Sequence, residues 1–214
     1  MNFIKTTGFS PIFRIFIEQF TGGMTGLKHQ ILQCEVCAPF FDHQPNPIVS
    51  FNSKSKVLII GQAPGRIVHN TGVPWDDKSG HNLRTWMDVS KDQFYNSDNF
   101  ALIPMGFCFP GTGTSGDLAP RKECAPLWHT KILDQLEQPK LVILIGGYAQ
   151  GYYLKSDQKK TLTDRVKNFD SYLPEYFVLP HPSPRNNIWQ AKNPWFLSDV
   201  LPSLKKQVAK AINS

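Results

Sequence analysis

No run in this chain of 214 residues reaches the roughly 20 consecutive apolar residues that a membrane-spanning helix needs. The stretch from Ile12 to Phe20 is interrupted by Arg14 and Glu18, and Phe20-Thr21-Gly22-Gly23 ahead of Met24 is a poor match to a signal-peptide cleavage site. No membrane partner is expected, and the chain is expected in the cytoplasm, with Met24 as an alternative start. Cysteine is scarce. Four residues in a cytoplasmic chain of this length exclude a disulfide-stapled scaffold. Acidic residues are outnumbered, 17 Asp and Glu against 23 Lys and Arg, for a formal net charge of +6. That balance favours a polyanionic partner through long-range attraction and counterion release, although a solvated basic surface gives the same count. Internal repeats and low-complexity tracts are absent. A hydrophobic content of 41% supplies the sizeable core of one domain.

Four short runs are continuously apolar, rich in β-branched residues and bounded by turn formers: Val57 to Ile60, Phe100 to Ile103, Leu141 to Ile145 and Tyr176 to Leu179. Such runs predict strands buried on both faces. Helical spacing lies between them, at Leu83, Trp86 and Met87, from Leu127 to Leu136, and from Tyr148 to Leu154. Alternating strand and helix predicts an α/β fold, a three-layer α/β/α arrangement around a central, mostly parallel four-stranded sheet. Binding sites of such sheets form beyond the carboxyl ends of the strands. All four predicted strands end in unusual loops: Gly61-Gln62-Ala63-Pro64-Gly65, Pro104-Met105-Gly106-Phe107-Cys108, Gly146-Gly147, and Pro180-His181-Pro182-Ser183-Pro184-Arg185-Asn186-Asn187. The charged segment from Lys155 to Lys160 reads as an exposed loop or helix end.

The cysteines are Cys34, Cys37, Cys108 and Cys124, the first two forming a CxxC. A thioredoxin-like redox pair would follow a strand and open a helix, whereas this CxxC precedes the first strand. Inert buried thiols are one alternative. Four thiolates together would hold zinc or an iron–sulfur cubane, and the CxxC spacing leaves both open.

The order and context of these residues, with a CxxC near the N-terminus, a third Cys after the second strand and a fourth at a helix start, resembles the iron–sulfur members of the uracil-DNA glycosylase superfamily, closest to the thermophile-type, family 4-like enzymes. Gly61-Gln62-Ala63-Pro64-Gly65 resembles that superfamily's first motif. Gly72-Val73-Pro74-Trp75 with Ser79-Gly80 and Leu83 resembles its Gly-x-Pro-Phe and Gly-x-Leu-Leu pattern, and His181-Pro182-Ser183-Pro184 is similar to its second motif. The resemblance covers the chain from about residue 27 to the end, leaving 1–26 as an N-terminal extension ahead of a domain at 27–214.

The resemblance implies a DNA repair enzyme that hydrolyses the N-glycosidic bond of uracil or another deaminated base, acting on DNA as a monomer. Such an enzyme extrudes its target base into a pocket. It also implies a 4Fe–4S cluster on Cys34, Cys37, Cys108 and Cys124, with zinc as the alternative. Trp75 stands at the place of the stacking aromatic, with Gly61 and Ala63 beside the base. His181 corresponds to the donor that stabilises the departing base. Gly65, Ser183 and Arg185 correspond to DNA contacts. Two departures mark this chain. The carboxylate or Asn of the first motif is replaced by Gln62 and Ala63, which leaves Gln62 or a nearby Asp76 or Asp77 to handle water, and the base-reading Asn aligns near Pro104. A rival reading is an iron–sulfur nucleic-acid-binding module of the same fold that lacks glycosylase activity; another is a redox sensor that uses the cluster to regulate binding.

Overall fold

A computed structural model describes residues 23–114, 116–157 and 160–214. The strands β1 (Val57–Ile60), β2 (Phe100–Leu102), β5 (Leu141–Ile145) and β6 (Phe177–Leu179) form one sheet in the order β2-β1-β5-β6. Every pairing is parallel. The expected strands are thus present, with β2 ending one residue earlier and β6 starting one residue later than the apolar runs. A two-residue hairpin, β3 (Thr112–Gly113) and β4 (Gly116–Asp117), stands apart from this sheet.

Alternation within the strands sorts their side chains to two cores. Val57, Ile59, Phe100, Ile143 and Phe177 point to one face, where Leu83, Trp86 and Met87 of helix α3 (Lys78–Met87) and Leu204 and Val208 of the C-terminal helix α9 (Leu201–Ile212) cover them. Leu58, Ile60, Ala101, Leu144 and Val178 point to the other. There they meet Leu27 and Ile31 of α1 (Met24–Leu32) and Trp128 and Ile132 of α5 (Cys124–Leu133). Two covered faces explain why β1 reads as an unbroken apolar run, since all four of its residues are buried. The boundary expected at residue 26 falls inside α1, and the rest of the expected extension, residues 1–22, lies outside the described residues. Of the charged segment, Lys155–Asp157 forms a 3-10 turn and residues 158 and 159 are outside the described residues.

The remaining α-helices among the described residues are α2 (Arg66–Thr71), α4 (Lys91–Tyr95), α6 (Gly146–Tyr153), α7 (Leu162–Lys167) and α8 (Asn187–Lys192). From β1 the chain crosses to β2 on one side and returns to β5 on the other. This topological switch point sits at the carboxyl end of β1, where the Gly61–Gly65 loop begins. The outer edge of β2 is shielded by the incoming segment, with Ser50 bridging Leu102 and the Ile48 N–H donating to Phe107 O.

His129 on α5 braces the loop after β2. Its Nε2 lies 3.0 Å from Pro104 O and its Nδ1 lies 2.7 Å from the Tyr153 hydroxyl. A carbonyl only accepts, so Nε2–H donates and Nδ1 accepts from Tyr153. Burial lowers the His129 pKa to about 4. An unfolded histidine takes its proton near pH 6.5, so this stabilisation is complete above that value and is lost as pH falls toward 4, by about 3 kcal/mol in all. Urea unfolding at pH 7 and at pH 4.5 measures the loss, and His129→Gln is expected to flatten it.

Candidate active site

The loop after β1 is fixed by its backbone. Gly61 O and Gln62 O accept from the N–H groups of Met105 and Gly106, which ties the first loop to the loop after β2. Gly65 then serves as the N-cap residue of α2, and Gly72 ends that helix in a left-handed conformation (φ 70°). Trp75 follows, and it too is left-handed (φ 58°). For a bulky side chain this conformation costs about 1–3 kcal/mol and persists only where neighbours enforce it.

Two glycines and one arginine do so. A Cβ on Gly80 would lie 1.7 Å from Trp75 O, and one on Gly61 would lie 2.7 Å from the Trp75 ring. Arg84 Nη1 donates to Trp75 O at 3.3 Å. Asp77 caps α3 by accepting from Gly80 N at 2.8 Å, which sets the start of that helix against the Trp75 backbone. The indole is thereby laid across the end of β1.

The loop after β6 approaches from the other side. Asn82 of α3 donates to Pro182 O at 2.9 Å, Asn186 donates to His181 O at 2.6 Å, and Ser183 Oγ accepts from Arg185 N. The His181 ring lies 5.9 Å from the Trp75 ring, tilted by 31°. Burial lowers the His181 pKa, and the carboxylates of Asp77 and Asp117 oppose that shift without reversing it. The ring is therefore neutral at pH 7, with one N–H to donate.

These loops enclose a cavity of about 550 Å³, within the usual range of a small-ligand site. Gly61, Gln62, Ala63, Gly65, Trp75, His181, Ser183 and Arg185 all line it, so eight of the expected residues converge. A family model described as the uracil DNA glycosylase superfamily matches residues 49–205. The chain belongs to that superfamily. The match takes in both motif loops, Cys108 and Cys124, while Cys34 and Cys37 precede it.

Asp76 is not among the lining residues. Its N–H donates to Val73 O in the turn before α3, and its carboxylate lies 4.0 Å from Lys91 Nζ. Its neighbour Asp77 does line the cavity, as does Pro104 where the superfamily's base-reading Asn would align. Sequence reasoning overlooked the β3–β4 hairpin, from which Thr112, Gly116 and Asp117 also reach the cavity. The signal was present as the Gly-rich run from Gly111 to Gly116 between Cys108 and Cys124.

All four cysteines are free thiols, and all four line a second, small and mainly apolar cavity with Phe107, Arg121 and Trp128. Cys124 opens α5 and its Sγ accepts from Phe107 N at 3.3 Å. Burial pushes the Cys108 thiol to about 11 and the Cys124 thiol to about 12, and raises that of Cys37. Among the described residues no group of three or more His, Cys, Asp or Glu has the arrangement of a metal-ion site. Four thiols around one apolar cavity match the all-thiolate donor set that either a cluster or zinc takes.

A methyl group at Gly80 forces the Trp75 carbonyl away. Gly80→Ala is expected to lower stability by about 1–3 kcal/mol and to change the tryptophan fluorescence, measured together by urea unfolding followed at the indole emission.

Proposed function

We propose that this protein is a DNA glycosylase that hydrolyses the N-glycosidic bond of uracil or another deaminated base, and that Cys34, Cys37, Cys108 and Cys124 hold a 4Fe–4S cluster. The convergence of Trp75, His181 and Gln62 on one cavity at the sheet's switch point carries the glycosylase reading. An extruded base stacks on the Trp75 indole. As the glycosidic bond breaks, negative charge develops on the base and positive charge on the sugar. The neutral His181 ring donates a hydrogen bond to the base carbonyl, in a part-buried position where such a bond is strong. Gln62 orients the water, and Ser183 and Arg185 at the mouth meet phosphates. With Pro104 offering no side-chain hydrogen bond, base choice falls to the polar groups of Gln62 and His181.

The cluster reading is supported by four half-buried thiols around one apolar cavity. Burial keeps the Cys37, Cys108 and Cys124 thiols protonated, and ligation to a metal centre is what would stabilise them as thiolates. Such a group would tie the segment after α1 to the loop after β2 and the start of α5.

Base release from oligonucleotides carrying uracil, hypoxanthine or xanthine tests the activity, and binding without release would favour a recognition module. His181→Ala is expected to slow release by about 100- to 1,000-fold while leaving the melting temperature in place. Anaerobically purified protein is expected to contain iron and absorb in the visible, and Cys108→Ser to lose both. Zinc without visible absorption would favour the alternative metal.

A further inference from the structure

The first motif has no carboxylate, yet the reaction builds positive charge on the sugar and needs a base for water. Three carboxylates stand near the cavity. Asp76 faces Lys91 and is not among the lining residues. Asp77 lines the cavity, but one of its oxygens is engaged by Gly80 N as the cap of α3. Asp117 lines the cavity, and among the described residues it makes no ion pair and its carboxylate accepts no hydrogen bond.

The hairpin that carries Asp117 is held in place. Thr112 pairs with Asp117 and Gly113 with Gly116, Leu118 N donates to Gly111 O at 2.9 Å, and Arg66 of α2 donates to Thr112 Oγ1 at 3.2 Å. Gly111 and Gly116 take left-handed values of φ (100° and 133°), which permits the tight return. The outcome is contact with the first motif itself. Asp117 Oδ2 would lie 3.1 Å from a Cβ on Gly65, and Arg185 Nη1 would lie 3.0 Å from one on Gly116. An exposed carboxylate that makes no ion pair or hydrogen bond, at the mouth of a cavity that the proposed function gives to a nucleotide, opposes DNA binding unless the chemistry uses it.

We propose that Asp117 is the catalytic carboxylate, supplied from the β3–β4 hairpin in place of the one missing at Gln62 and Ala63. This rests on the glycosylase reading. The C1′–N bond breaks with its electron pair leaving on the base, and the oxygen of water bonds to C1′. One water proton passes to the Asp117 carboxylate and from there to the base anion, so the products are the free base and an abasic sugar. Until water adds, the same carboxylate faces the cationic sugar.

The test is single-turnover base release with uracil-, hypoxanthine- and xanthine-containing oligonucleotides, alongside binding by fluorescence anisotropy. Asp117 is exposed, so Asp117→Asn is expected to melt as the parent does. The variant is expected to lose about 100-fold or more in release while binding DNA as tightly or more tightly. Release within threefold of an active parent would overturn the assignment and leave the glycosylase reading standing. So would a large loss in Asp77→Asn, which keeps the cap, without one in Asp117→Asn. A parent that releases none of the three bases would overturn both.

Discussion

Trp75 is pressed between Gly61 and Gly80, and the site takes its shape from that contact. The indole lies over the end of β1 because Gly61 has no side chain to lift it, and its carbonyl sits against α3 because Gly80 has none to repel it. The backbone conformation this requires is unfavourable for tryptophan, and the Arg84 hydrogen bond and the Asp77 cap hold it there. Everything else in the cavity is arranged around the ring. His181 reaches it from the loop after β6, which Asn82 of the same helix α3 anchors through Pro182 O.

The loops of the site are also joined by polar contacts to backbone. The loop after β1 leans on the loop after β2 through Met105 and Gly106, and that second loop is braced by His129 through Pro104 O. Cys108 and Cys124 flank the same brace, one on the loop after β2 and one at the head of the helix bearing His129. A group bound at the four thiols would thus stabilise the platform on which the first motif rests. His129 and His181 are both kept neutral by burial, with different consequences: His129 is enclosed and only holds the loop, whereas His181 faces an open cavity.

Charge at the mouth is mixed. Arg185 and Asp117 both line the cavity, with the glycine at position 116 leaving room for the guanidinium. Under the proposed function, a cation for phosphate and an anion for the sugar cation in one cavity match the charges of a nucleotide whose base is leaving.

The sequence by itself determined the sheet, its parallel character and the loops that bear the site. Val57 to Ile60 and its counterparts can be continuously apolar only between two covered faces, and Gly and Pro at each strand end mark where the chain leaves the sheet. These patterns act over a few residues and are legible locally. Seven of the eight expected site residues that converged belong to such a loop, whereas Trp75 follows α2 and is brought in by its contacts with Gly61 and Gly80. The tertiary structure alone decided which carboxylates reach the cavity. Asp76 precedes α3 by two residues and turns to Lys91, while Asp117, from a hairpin distant in sequence, meets Gly65. That distinction depends on the direction of a turn and on the docking of a short hairpin, which are set by contacts between remote segments and leave no periodic trace in the chain.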